Sequence, residues 1–234
     1  MRGAADSRPN APTLLHVHGA WHGSWCWDRV RSLLAADGWA TRVVDLPSAG
    51  QEAAGVQEDA REVLRGLEGV EGPVVVVAHS YAGVPVTQVV AEAPGIAHVV
   101  HLTAYRLEVG ESVLGYHGVA VAPEPRGFRP VPDDPVATFY GDVPQREAEV
   151  AVARLVPQST KSFVEPLTGA GRRAVPSTYV VCERDRALRP ALQEDMAGRT
   201  AGPVHRLPSH HSPFLSMPGA CASLLARIAH DATA

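Results

Sequence analysis

The chain has 234 residues, 45% of them hydrophobic and 20% charged, with 21 basic against 25 acidic side chains for a formal net charge of −4. That length suits one domain, or one domain carrying an insertion, and the composition is that of a globular chain rather than a disordered one. The balanced charge leaves no electrostatic footprint for nucleic acid or an anionic membrane surface, and no stretch approaches the roughly 18 uninterrupted apolar residues of a membrane span. Cys26, Cys182 and Cys221 are odd in number and far apart. They are expected as packed, reduced thiols and not as a disulfide framework or metal knuckle. The first twelve residues carry no apolar segment of a secretory signal, so a cytoplasmic location is the expectation. Lys161 is the only lysine, and any Schiff-base chemistry would have to use it.

Residues 1–12 are polar, contain Pro9 and Pro12, and read as a loose tail. TLLHVHG (13–19) is a short β-rich run stopped by Gly19. A helical pattern with Trp25, Val30, Leu33 and Leu34 follows and ends near Asp37-Gly38. TRVVDLP (41–47) is a second strand, and a helix through Val56, Val63, Leu64 and Leu67 ends at Gly69 or Gly72. The Val run of PVVVVAHS (73–80), bounded by turn residues, fits a strand buried on both faces of a parallel sheet. A helix over roughly 82–93 tolerates Pro85 only in its first turn. IAHVVHLTA (96–104) is the fourth strand. This alternation predicts a doubly wound α/β sheet with right-handed crossovers.

The alternation breaks over residues 105–172, which contain eight prolines and two helical patterns, at 145–156 and 107–117. That stretch is expected as a cap inserted over the sheet, with 13–104 and 173–234 as the core. Alternation resumes with STYVVCE (177–183), a helix near 189–198, PVHRLP (203–208) and an amphipathic helix from about 213 to 230.

Val77-Ala78-His79-Ser80-Tyr81-Ala82-Gly83 places a serine where the buried strand turns into a helix, as a nucleophile elbow requires. The sharp turn strains the backbone and calls for small residues two positions either side. Both are alanine here, Ala78 and Ala82, where the usual pattern has glycine. The plainer alternative is a serine helix cap. An elbow predicts an acid after a late strand and a histidine after the last one, in the order Ser…Asp…His. Asp185 follows STYVVCE, and His210 and His211 follow PVHRLP. Glu183 and Asp195 compete for the acid; Asp185 is preferred because it lies just past the strand end. Spacing does not separate His210 from His211.

His16-Val17-His18-Gly19-Ala20-Trp21-His22-Gly23 ends the first strand and opens the first helix. In an elbow enzyme this loop supplies one oxyanion-hole N–H and the residue after the nucleophile supplies the other, so the candidates are Ala20 and Tyr81. The glycines do not form the GxGxxG of a dinucleotide site. No carboxylate accompanies His16, His18 and His22 at a ligand spacing, and they read as structural histidines bracketing a turn. No metal or cofactor is expected. Trp21, His22 and Tyr105 near the site, with Phe139, Tyr140 and Phe163 from the insertion, are candidates for an apolar pocket; ordinary cap-to-core packing is the alternative for each.

Together HGAWHGSWCW, AHSYAG, the CERD segment and SHHSPFLSMP resemble the α/β-hydrolase superfamily, in particular its compact methylesterase and hydroxynitrile-lyase branch. The resemblance implies about six mostly parallel strands and a lid after the strand ending at Ala104. It implies Ser80 as nucleophile, Asp185 as acid and, from the HxPFLSxP context, His211 as base, with Ala20 and Tyr81 as the oxyanion pair. The hydroxynitrile lyases of this branch carry a lysine directly after the catalytic histidine, and here that residue is Ser212. The expected activity is therefore that of a serine hydrolase on an ester, thioester or lactone of a small, partly apolar substrate. The alternatives are a non-hydrolytic lyase or cyclase on the same fold and a ligand-binding receptor with a vestigial site. The only partner expected is the small-molecule substrate, with no nucleic acid and no membrane. The oligomeric state is left open, a homodimer included.

Overall fold

A computed structural model describes residues 11–90, 92–93, 95–120, 126–169 and 175–233. The expected tail lies, up to residue 10, outside the described residues.

Six parallel strands form the main sheet: β1 (Thr13–Val17), β2 (Thr41–Val44), β3 (Val74–His79), β4 (Ile96–Leu102), β7 (Ser177–Cys182) and β8 (Val204–Leu207), in the order β2-β1-β3-β4-β7-β8. The Val run of β3 shows why the sheet is two-sided. Successive side chains of a strand point to opposite faces, so Val74, Val76 and Ala78 enter one apolar core and Val75 and Val77 the other. The first core is closed by α2 (Val56–Leu67), α3 (Gly83–Val89) and α8 (Pro190–Gly198). The second is closed by α1 (Asp28–Ala36), α9 (Pro213–Ser216) and α10 (Pro218–Asp231), with Leu34, Phe214, Leu225 and Ile228 fully or almost fully buried. Cys26, Cys182 and Cys221 are buried free thiols within that second core.

Between β4 and β7 lie α4 (Val113–Tyr116), β5 (Phe128–Arg129), α5 (Pro135–Phe139), α6 (Gln145–Val152), β6 (Gln158–Ser159) and α7 (Thr160–Val164). β5 and β6 pair antiparallel as a two-residue ribbon that the proline-rich sequence did not announce. Several expected helices are shorter than their patterns, the 145–156 one ending at Val152 among them, and two break at identifiable residues. The one over 107–117 is only α4, because Gly110 turns the chain with φ 87° and Ser112 caps α4 by accepting the Gly115 N–H. The last helix is interrupted at Met217, which leaves the helical region (φ −140°, ψ 58°) ahead of Pro218. Proline clashes with a helical residue before it and has no N–H to continue the ladder. Among the described residues no helix is long and apolar enough to cross a membrane.

Candidate active site

The site gathers at the carboxyl ends of β1, β3 and β4, beside the point where strand order reverses, which is where open α/β sheets bind their ligands. The three non-glycine residues with positive φ among those described are Trp21 (62°), Ser80 (55°) and Thr103 (40°), and each follows one of these strands. Backbone strain of this kind is retained where the surrounding structure over-determines it.

Ser80 leaves β3 in the left-handed region and opens a short 3-10 turn, Ser80–Ala82, that runs into α3. Neighbouring backbones close in on the turn. A Cβ on Gly19 would stand 2.9 Å from the Ser80 Cβ, and one on Gly83 would stand 2.0 Å from the Tyr105 carbonyl oxygen. Ala78 and Ala82 are fully buried without a glycine. The glycine that this elbow does require stands three residues after the serine.

Asp185 lies in the loop after β7 and is buried. Its Oδ1 accepts the N–H groups of Ala187 (2.7 Å) and Leu188 (2.9 Å). Its Oδ2 accepts the Thr103 hydroxyl at 2.5 Å and lies 2.7 Å from Nδ1 of His211. A carboxylate with only acceptor oxygens requires the proton on Nδ1, which leaves Nε2 of His211 with its lone pair. His79, directly before Ser80, donates its Nε2–H to the His211 carbonyl at 2.9 Å and so ties the elbow to the histidine loop. Burial and the neighbouring imidazoles hold the His79 ring far below the usual histidine range, and it stays neutral.

The competing residues lie elsewhere. Glu183 is exposed. Asp195 accepts the Tyr116 hydroxyl at 2.7 Å and pairs with Arg199. His210 donates its backbone N–H to Asp142 at 2.9 Å, and its ring packs on Gly141.

Ser80 and His211 share the wall of a cavity of about 140 Å³ with Ala20, Trp21, Tyr81 and Tyr105. Phe139, Phe163, Pro132, Thr138, Ala187 and Leu188 complete it. Two residues expected in the pocket are displaced from it. His22 is buried behind Ala20, where its Nδ1–H donates to the Ala20 carbonyl at 2.8 Å and its Nε2 accepts the Tyr140 hydroxyl at 2.8 Å. Burial lowers the His22 pKa to about 3, so the ring is a neutral brace between the β1 loop and Tyr140. His18 and, within β1, His16 are braces as well: Nε2 of His18 accepts the Leu46 N–H and Nδ1 of His16 faces the Arg42 carbonyl. A roomier groove of about 430 Å³ between Trp25, Arg146 and Leu215 holds none of these groups. Lys161, the lone lysine, donates to Glu58 at 2.8 Å and lies outside the cavity wall.

Sequence reasoning passed over Thr103 and His79 as supports of Asp185 and His211. It also passed over Asp59, Ser48 and Gln158 beneath Tyr81 and Trp21. A polar residue inside an apolar pattern was the only trace they left.

A strand–turn–helix serine, a carboxylate–imidazole pair and one shared cavity at the strand ends define an α/β hydrolase. The chain belongs to that family: the model of the alpha/beta hydrolase family matches residues 14–224. It is an enzyme of the carboxylic-ester hydrolase type. It is 32% identical over 194 residues to the probable hydrolase R7 of a Phoma species, covering 76% of this chain and 80% of that protein. It is 27% identical over 235 residues to the carbendazim hydrolyzing esterase of a Nocardioides species, covering 91% and 97%. The crystal structure of a pyrethroid hydrolase from Sphingobium faniae superposes with a TM-score of 0.76 at 25% identity, over 94% of this chain and 97% of that one.

Proposed function

We propose that the chain is a serine esterase in which Ser80 is the nucleophile, His211 the base and Asp185 the acid. The observation that carries this reading is the 2.7 Å contact between His211 Nδ1 and Asp185 Oδ2 behind a cavity that Ser80 and His211 both line. His211 Nε2 takes the Ser80 proton as Oγ attacks a carbonyl carbon. Asp185 stabilises the imidazolium and holds its tautomer. The N–H groups of Ala20 and Tyr81 stabilise the oxyanion, where each such donor contributes on the order of 10²–10³ in rate. The proton on Nε2 then goes to the departing alkoxide or thiolate. Water attacks the acyl-enzyme with His211 again as base and releases the acid.

The substrate is an ester, thioester or lactone with a small, uncharged, mostly apolar acyl part. Among the described residues no Asp, Glu, Lys or Arg lines the cavity, and Trp21, Phe139, Phe163 and Leu188 do. Residues 105–172 act as the cap that supplies Phe139 and Phe163.

Intact-mass labelling with a fluorophosphonate, beside Ser80→Ala, tests the assignment. One stoichiometric adduct that is absent from the variant is expected. A folded wild-type protein that takes no adduct would rule out an activated Ser80 and turn attention to lyase, cyclase or receptor readings.

A further inference from the structure

Resting on that esterase reading, we infer that Asp59, acting through Ser48 and Gln158, is a positioning residue that holds the two peptides of the oxyanion hole in register.

Asp59 lies on the first turn of α2 and is fully buried. Among the described residues its partners are three donors, none of them a cation. Oδ1 accepts the Ser48 N–H at 2.9 Å, and Oδ2 accepts the Ser48 hydroxyl at 2.5 Å and the Tyr81 hydroxyl at 2.7 Å. From Ser48 the network continues. Its Oγ accepts Nε2–H of Gln158 at 2.7 Å, and Oε1 of Gln158 accepts the Trp21 N–H at 3.0 Å. One directed run of hydrogen bonds thus joins the peptide after Ala20 to the side chain of Tyr81. The proposed oxyanion donors lie beside these two points: the Ala20 N–H is one peptide before the Trp21 N–H, and the Tyr81 N–H is on the backbone of the clamped side chain.

The arrangement is costly for a purely structural element. A buried carboxylate without a cation must recover its lost hydration through hydrogen bonds, and burial holds the Asp59 carboxyl up at about 6. An apolar residue would pack α2 against the sheet without that penalty. The ionised carboxylate does what an apolar residue would not: it accepts every proton offered to it and so fixes the direction of each bond in the run. Both clamped points are places where position matters. Trp21 is held at φ 62°. The Tyr81 ring lies parallel to Phe163, with centroids 5.7 Å apart, in the cavity wall. Oxyanion donors must sit within a few tenths of an ångström of their productive place, and displacements approaching 1 Å cost on the order of 10² in rate.

The test compares wild type with Tyr81→Phe, Asp59→Asn, Ser48→Ala and a control, Glu58→Gln. Glu58 neighbours Asp59 on α2 but is tied to the Gly55 N–H and Lys161, outside the run. Three quantities are read on the full chain: the rate of fluorophosphonate capture, kcat and KM on p-nitrophenyl acetate, and Tm. Tyr81→Phe keeps the ring and the backbone, so it carries the test if Asp59→Asn does not fold. Tyr81→Phe and Asp59→Asn are expected to slow capture and kcat on the order of ten-fold, with KM nearly unchanged. Glu58→Gln lowers Tm and leaves both rates alone. Capture of Tyr81→Phe at the wild-type rate, or a rise in KM that accounts for all its loss, overturns the inference while the esterase reading stands. A wild-type protein that is never captured overturns both.

Discussion

Gly83 and Tyr105 meet backbone to backbone. A Cβ at Gly83 would lie 2.0 Å from the Tyr105 carbonyl oxygen, and the Tyr105 N–H donates to the Ser80 carbonyl at 3.0 Å. The exit of β4 is thereby sewn onto the elbow. Gly83→Ala should destabilise the protein by about 1–3 kcal/mol through overpacking and slow fluorophosphonate capture. Urea unfolding measures the first effect, and wild-type stability would show that the two backbones part freely.

The left-handed Ser80 carries a second consequence. An L side chain at φ 55° is strained where glycine is not. Ser80→Gly should therefore be more stable than Ser80→Ala by about 0.5–1 kcal/mol, after allowance for the greater unfolded-state entropy of glycine. Both variants should escape labelling. Equal melting temperatures for the two would mean that the turn stores no strain.

The adjacent histidines should differ sharply. His211→Ala removes the ring paired with Asp185 and should abolish ester turnover. His210→Ala leaves that pair intact and keeps the backbone contact to Asp142, so turnover should stay within a few-fold of wild type. Loss of turnover in His210→Ala at an unchanged Tm would exchange the two roles.

Acid should unfold the protein from about pH 6.5 downward. Burial lowers the pKa of His16 to about 4 and those of His22 and His101 to about 3, all below the ordinary value of 6.5. The unfolded chain therefore binds protons first. The stability carried by these neutral rings is present above pH 6.5 and is lost as pH falls toward 3–4, by about 2 kcal/mol per ring at pH 5. Asp59 has the opposite sign, because its pKa is raised from 3.8 to about 6. Its contribution is full below 3.8 and is lost as pH rises through 6, so at pH 5 it offsets about 1 kcal/mol of the histidine loss. Thermal unfolding at pH 7.5 and 5.0 should show a clear fall in Tm. An unchanged Tm would mean that these rings accept protons inside the folded protein.

Much of this architecture was legible because it is written in local patterns. An unbroken Val run with turn residues at both ends has one stable use, a strand with a helix layer on each face, and β3 divides its side chains between the two cores accordingly. A serine at the end of that strand marks the elbow for the same local reason. The Pro-rich stretch from 105 to 172 resisted reading, since prolines punctuate a chain without saying which short segments will pair. The contact of Phe128 and Arg129 with Gln158 and Ser159 spans some thirty residues of such chain.

By themselves the residues determined the parallel α/β sheet, the place of Ser80 at its carboxyl edge and the order in which an acid and a histidine would follow. Strand-end position favoured Asp185 and the resemblance implied His211, but only tertiary structure brings the two side chains into contact. Asp185 rather than Glu183 or Asp195 reaches His211 rather than His210, and Thr103, 82 positions away, braces the carboxylate. It also set Gln158 against Trp21 and Asp59 against Tyr81. The physical reason is range. Burial and helix or strand period act over a few neighbouring residues and leave their mark on the pattern, whereas a hydrogen bond between distant segments depends on where the folded sheet delivers each side chain.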